Sequence, residues 1–284
     1  MSFVGRYINM DASVERRQAF EIQLDQLGHA ERYTRFKAVD GRVVDVGSST
    51  LTPTELGCLR SHYQCVLEAA EGDRPTHIVE DDVVFAGDAV SILDEIVGQP
   101  ATSWDLLFTD IIVPMHFNTL LTLIRGWRAS GVRGVAGHRR PQTIHYLDLA
   151  QSPFAGSASY LVSTRGAKKL AQIMAGELAR GATMQTDMLL RHHVCSGELS
   201  AACTIPFLTS VDPSSIILTT ITGRKQHQTS ALALFLLRYY FFYGRSDEKL
   251  RAIAAELDGQ VVNDETDLLW PAIRHAFSEN TVEF

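Results

Sequence analysis

The chain reads as an α/β protein, a mostly parallel sheet flanked by helices with a helical C-terminal extension. In the first half, short apolar runs of strand type alternate with longer runs of helical period, the order that successive βα units impose. Start signals for helices fall where the strand signals end. Polar and acidic residues collect at the strand ends, at Asn9, Asp11, Asp40 and Glu80-Asp81-Asp82. An open parallel sheet binds its ligands at those carboxyl ends.

Phe3–Met10 has the pattern of a first strand, and Asp11 or Ser13 can cap a helix running to about Leu27. Tyr33–Val39 reads as a second strand that stops at the turn dipeptide Asp40-Gly41. The next helix is well marked. Thr52 is its N-cap, Pro53 suits the first helical position, and Glu55 completes a capping box before Leu56–Ala70. Gly72 to Pro75 breaks it, His77–Val79 is a strand leading into the acidic triplet, and Trp104–Phe108 is another. Residues 114–150 look least regular and read as an insertion or mobile segment. Ser157–Val162 predicts a strand, Thr164–Met174 and Thr186–Val194 predict helices, and the pattern beyond Asp212-Pro213 is helical, including Asp247–Leu257.

The chain has 284 residues, 45% hydrophobic and 21% charged, enough to bury a sizeable core as one large domain or two small ones. A net charge of −7 argues against a dedicated nucleic-acid binder, which carries a basic surplus. Arg125, Arg128, Arg133, Arg139 and Arg140 nevertheless form a local patch that could face an anion. The sparse cysteines (Cys58, Cys65, Cys195, Cys203) form no close pair, which favours a reducing compartment. Cys58, His62 and Cys65 share one helix face, a spacing more typical of a core stripe than of a zinc site. No signal peptide is visible, so the expected location is cytoplasmic. Ala231–Tyr243 is the most hydrophobic stretch, too short to span a bilayer. It reads as a buried helix or subunit contact, with a surface helix peripheral to the inner membrane as the sharper alternative.

The acidic triplet is the strongest chemical signal. Like charges ~4 Å apart repel by about 4 kcal/mol at a protein surface. Such a cluster between the apolar runs Ile78-Val79 and Val83-Val84-Phe85 is tolerated where a cation binds. Continued strand geometry would send Glu80 and Asp82 to one face and Asp81 to the other. Hard oxygen ligands at a strand end suit Mg²⁺ or Mn²⁺ carrying a phosphorylated ligand. A solvated acidic turn is the plainer alternative.

Several segments, in order, resemble glycosyltransferase family 25, which includes lipopolysaccharide galactosyltransferases and collagen galactosyltransferases. Tyr7-Ile8-Asn9-Met10-Asp11 through Glu15-Arg16-Arg17 is similar to its opening. Phe36-Lys37-Ala38-Val39-Asp40-Gly41 and Leu51-Thr52-Pro53-Thr54-Glu55-Leu56-Gly57-Cys58 with Ser61-His62 follow. Val79-Glu80-Asp81-Asp82-Val83 resembles the family's E-D-D element, its version of the metal-binding D-x-D. Gly156–Ser163, Gly166–Leu170 and Gln185–Leu190 complete the series, with Gln185-Thr186 where a proline is commoner. The likeness covers roughly 3–218, so a catalytic domain of 1–225 and an extension of 226–284 are expected.

The resemblance implies a GT-A type fold and a metal-dependent, inverting transfer of a hexose, galactose first, from a UDP-sugar to a saccharide or glycolipid acceptor such as lipopolysaccharide core. Asp82 becomes the principal ligand of Mn²⁺ or Mg²⁺, assisted by Glu80 or Asp81. Asn9, Asp11, Arg16, Asp40 and Ser61 become donor-binding candidates, with Arg16 ahead of Arg17 because a guanidinium at a helix start favours phosphate. Gly57 and Ser61, one helical turn apart, suit a close approach to the nucleotide or to another helix. Asp187 is the candidate base, and His192, His193 or Asp212 could supply a further metal ligand. Gly156 and Ser157 with the arginine patch could meet the acceptor. A homo-oligomer is a further expectation. The alternative is a non-catalytic scaffold or adhesion protein on the same fold. A nucleotidyltransferase is disfavoured because no Gly-rich, basic phosphate loop opens the chain.

Overall fold

The structure is a computed structural model that describes residues 2–99, 104–113, 116–132, 140–212 and 228–258, without the side chains of 228–233, 254 and 256–258. Its centre is a seven-stranded sheet. In spatial order the strands are β2 (Tyr33–Lys37), β1 (Val4–Asn9), β3 (Thr76–Glu80), β7 (Ser159–Val162), β5 (Leu106–Phe108), β8 (Ala201–Ile205) and β6 (His145–Asp148). β2, β1, β3, β5 and β8 share one direction, whereas β7 and β6 run against them. The expected mostly parallel α/β sheet is therefore what the chain forms. A second, two-stranded sheet pairs β4 (Val83–Phe85) with β9 (Thr209–Val211).

This topology brings the carboxyl ends of β1, β2, β3 and β5 to one edge. The loop leading into antiparallel β7, with Gly156 and Ser157, joins them there. The helices are α1 (Val14–Gln26), α2 (Pro53–Glu71), α3 (Ala89–Gly98), α4 (Phe117–Ala129), α5 (Thr164–Ala179), α6 (Thr186–Cys195), α7 (Gln228–Tyr240) and α8 (Asp247–Asp258). α2 starts as its sequence dictates. Thr52 accepts from the Glu55 N–H while Glu55 accepts from the Thr52 N–H at 2.9 Å, a reciprocal cap whose loss typically costs about 1 kcal/mol.

Two expectations need correction. Among the described residues of 114–150, regular structure is present, as α4 and the edge strand β6. Leu120, Leu123 and Trp127 fall on one face of α4 and pack inward, with Leu123 and Trp127 fully in the core. The acidic triplet does not continue a strand. β3 ends at Glu80, and Asp81-Asp82 form the turn into β4, so strand alternation does not set their directions.

The C-terminal helices are tied to the sheet. Phe207 and Phe241 join through a backbone hydrogen bond of 2.8 Å. Phe235, Leu236, Leu237, Tyr239, Phe241, Phe242 and Tyr243 are buried, each contributing about 1.5–3 kcal/mol relative to exposure. The buried-helix reading of 231–243 thus holds for the rings of Phe235, Tyr239, Phe241, Phe242 and Tyr243, and a membrane contact through them would require their release. The side chains of 231–233 lie outside the described residues. Among the described residues, no helix is long and apolar enough to cross a membrane.

Candidate functional site

The triplet sits at the carboxyl edge, and positive or donor groups converge on it. Arg16, in the first turn of α1, reaches both Asp81 and Asp82, the latter at 3.1 Å. Asn9, buried at the end of β1, donates to Asp81 Oδ2 at 2.6 Å and accepts from Arg35 Nε at 2.9 Å. Glu80 meets His62 Nε2 at 3.4 Å. The repulsion inferred from the sequence is therefore met in part by the protein itself. It is not fully met. Asp82 Oδ1 is buried and has no hydrogen-bond partner among the described residues.

Burial and the neighbouring Glu80 charge push the Asp82 carboxyl up to about 7. Burial also raises Asp81, against the pull of Arg16 and Asn9. Burial opposes ionisation of Glu80 too, but the His62 contact and the fields of Arg16 and Arg238 outweigh it and hold that carboxyl low. An ionised Glu80 beside a proton-retaining Asp82 with an orphaned oxygen fits a divalent cation, which would replace the proton and satisfy the free lone pairs.

Two further groups complete this edge. β4 and β9 pair Val83 with Val211, which brings Asp212 opposite Asp82, and the Asp212 N–H donates to the Asp82 carbonyl at 2.8 Å. Asp110, just past β5, is fully buried and accepts from Arg238 Nε of α7 at 2.6 Å, while its Oδ1 is another orphaned atom. Arg238 is close enough to act electrostatically on Glu80 and Asp82. The sequence alone assigns no role to Asp110 or Arg238. An arginine inside a buried aromatic helix was the available signal, since such a charge needs a partner.

The other donor-side candidates are placed less directly. Asp11 is half-exposed and pairs with Arg35 at 2.7 Å and Lys37 at 2.6 Å. Asp40 accepts from the Arg42 N–H at 2.9 Å, and the Arg42 side chain holds its carboxyl down to about 2. Ser61 is buried, donating to the Gly57 carbonyl at 2.7 Å and accepting from the Val39 N–H at 2.8 Å. It positions α2 against the β2 loop and stands behind the edge. Gly57 serves the same contact, because a Cβ there would sit 2.9 Å from the Val39 carbonyl. The Arg17 backbone N–H bonds the Ser13 carbonyl, continuing the first turn of α1.

Asp187 lies in the first turn of α6, half-buried. Its Oδ2 accepts from the Gly156 N–H at 3.0 Å, and its Oδ1 from the Met188 N–H at 2.9 Å. Gly156 has φ of 90°, which favours glycine, so Asp187 pins a special turn at the entrance to β7. The α6 start also meets α2, where Thr186 Oγ1 is 3.7 Å from Cys58 Sγ. Asp187 thus follows directly on a residue in contact with Cys58. His192 and His193 lie elsewhere. They occupy the last turn of α6, where His193 pairs with Glu198 ahead of β8, at the opposite, amino edge of the sheet. Of the candidates for a further ligand, only Asp212 is beside the triplet.

In the arginine patch, Arg140 pairs with Glu95 at 2.5 Å, Arg125 and Arg128 are exposed, and Arg133 and Arg139 lie outside the described residues. A cleft of about 670 Å³ opens at the amino edge, lined by residues such as Phe3, Asp25, Arg32 and Arg74. It is remote from the carboxylate cluster.

Fold and site together define an α/β protein with an acidic cluster, suited to a cation, at the carboxyl edge of its sheet. The chain belongs to glycosyltransferase family 25 (LPS biosynthesis protein), whose sequence model matches residues 5–190. It is accordingly a glycosyltransferase of a lipopolysaccharide-biosynthesis family. No curated protein matches the chain. Among solved structures, the crystal structure of an active-site mutant of LgtC is similar at a TM-score of 0.32 and 9% identity, covering 93% of this chain and 99% of that one. A likeness that weak carries no argument about site or substrate.

Proposed function

We propose that the chain transfers a hexose, with galactose the first candidate, from a UDP-sugar to a saccharide acceptor such as lipopolysaccharide core. The transfer is metal-dependent, inverts the anomeric carbon, and runs on a GT-A type scaffold. The observation that carries this reading is the orphaned, buried Asp82 Oδ1 next to Glu80, with Asp212 joined to residue 82 through the backbone where β4 meets β9. Asp82, with Glu80 and Asp212, would hold Mn²⁺ or Mg²⁺, which supplies counter-charge to a departing diphosphate. Arg16 has a guanidinium at the start of α1 and can exchange its carboxylate partners for donor phosphate. Asn9 fixes Asp81 in place, and Asp11 and Asp40 remain the candidate acceptors for ribose or uracil hydroxyl and N–H groups.

Inversion in one displacement needs a base on the face opposite the leaving group. Asp187 is our assignment, since its carboxylate accepts from Gly156 in the loop before β7, at the carboxyl edge of the sheet. Asp187→Asn should retain donor and metal binding while transfer falls by about 10²–10⁴-fold. Unchanged transfer would remove Asp187 from the role. One observation favours the non-catalytic alternative: Arg16 already neutralises part of the cluster. The decisive experiment is UDP release from UDP-galactose, UDP-glucose and UDP-N-acetylhexosamines with and without Mn²⁺. Release that chelation leaves untouched would end the metal-dependent reading, and no release from any donor would favour the scaffold.

A further inference from the structure

Among the described residues, one group of three histidine, cysteine or acidic donors lies close enough together to hold a metal, and it is not the acidic triplet itself. Cys58, His62 and Glu80 place one ligand atom each within 4.8 Å of one another. The sequence suggested Cys58, His62 and Cys65 on a helix face, but Cys65 is buried and burial drives its thiol up to about 12. Glu80, arriving from the end of β3, takes the third place. Two members come from one helix at i and i+4, so their separation is fixed by the backbone.

The geometry is close to what a small tetrahedral ion requires. Metal–sulfur bonds of about 2.3 Å and metal–nitrogen or –oxygen bonds of about 2.0–2.2 Å set neighbouring donors roughly 3.4–3.6 Å apart. His62 Nε2 and Glu80 Oε1 already stand 3.4 Å apart. Cys58 must close the remaining gap, and its half-buried side chain has the freedom of one rotamer change. The imidazole is held from behind. His62 Nδ1 lies 3.0 Å from the Tyr160 hydroxyl and the two rings stack, the outer-shell support that orients a metal-binding histidine. With the metal bound, Nε2 gives up the proton it shares with Glu80 and turns its lone pair to the ion, while Nδ1–H donates to Tyr160. Three protein donors leave a fourth position open.

We propose that Cys58, His62 and Glu80 form a second cation site for a thiophilic metal of the Zn²⁺ class, whose occupation withdraws Glu80 from the acidic triplet. The Cys58 thiol proton and the His62 Nε2 proton pass to solvent as the thiolate and the neutral imidazole bind. Ligand softness separates the two sites: the oxygen-only group of Asp82 and Asp212 suits Mn²⁺ or Mg²⁺, whereas a thiolate and an imidazole select zinc. Because both sites need Glu80, they compete. The consequence for turnover rests on the transferase reading, but metal binding does not.

Co²⁺ titration of the full chain, read by the near-ultraviolet charge-transfer band of a cobalt–thiolate bond, tests the site directly. The band should appear in the wild type, persist in Cys195→Ser, vanish in Cys58→Ser and Cys58→Ala, and be erased by Zn²⁺. Melting curves of the variants check that they fold. A wild type with no band, or a band that survives in both Cys58 variants, overturns the site. In the Mn²⁺-supported assay, Zn²⁺ inhibition should weaken by about tenfold or more in Cys58→Ser. Equal inhibition of both proteins overturns the competition through Glu80. A protein inactive with every UDP-sugar refutes the transferase reading and leaves the cobalt spectrum to judge the site.

Discussion

Asp82 and Asp105 are both acidic side chains taken out of water at opposite edges of the same sheet, and they are treated in opposite ways. Asp105 precedes β5 and is fully buried. Its Oδ1 accepts from Arg165 at 2.8 Å, and its Oδ2 accepts from Lys169 at 2.8 Å and from the Ser200 N–H at 3.0 Å. Burial alone would raise this carboxyl, but Lys169, Ser200 and Arg165 together hold it below the ordinary range. Asp82 shares one arginine with Asp81, keeps an oxygen unpartnered and titrates near 7. A buried carboxylate with every lone pair answered is part of the framework. One left short of partners, beside two more carboxylates, waits for a cation on the reading proposed above.

The contrast can be broken by mutation. The largest effect is expected at Asp82→Asn, where Mn²⁺-supported transfer should fall by about 10²–10³-fold. Its melting temperature without cation should hold or rise, since an unfavourable buried charge is gone. A marked loss of stability together with retained turnover would reverse the roles assigned to the two aspartates. The mirror experiment is Asp105→Asn, expected to cost about 1–3 kcal/mol in denaturant unfolding, with turnover per folded molecule unchanged.

A pH series sharpens the same contrast. The Asp82 carboxyl is raised from 3.8 to about 7 in the folded chain, so the folded state holds a proton that the unfolded state releases. Its contribution to stability is present below about pH 4 and lost as pH rises to about 7. Cation-free protein should therefore weaken across that window, and Mn²⁺ at 100 times its Kd should restore about 2.7 kcal/mol near pH 7. Melting curves insensitive to both pH and Mn²⁺ would show that Asp82 is already satisfied. The smallest effect is expected at Ser61→Ala. Losing its backbone ties should cost about 1 kcal/mol without altering the KM for donor, whereas a raised KM with unchanged stability would return Ser61 to the nucleotide.

The parallel β1–α1–β2–α2–β3 half was legible because each of its elements carries its own signal. The capping box at Thr52 and Glu55 and the turn at Asp40-Gly41 are local chemistry, and local chemistry is written in consecutive residues. The triplet was legible for the same reason. The orientation of its members was not, because Asp81-Asp82 turn out of the strand where β4 must swing away to meet β9. Strands of three residues such as β4, β5 and β9 have too few positions to show a period, and β6, half-exposed at the sheet edge, shows no clean alternation. Asp212 and Arg238 could not be assigned from sequence alone. Their significance comes from pairings across 130 and 128 positions, set by the β4–β9 ladder and by the burial of α7. Asp187 was read as starting a helix, which it does, but its hold on Gly156 is a tertiary contact with no sequence signature.

The β4–β9 ladder has an implication for engineering. It stitches position 82 to position 212, so residues beyond the family-matched stretch finish the rim that the acidic cluster begins. A fragment stopped after residue 190 would keep the recognisable motifs yet leave that rim unsealed. Chimeras that exchange donor preference between relatives should therefore carry their own tail along.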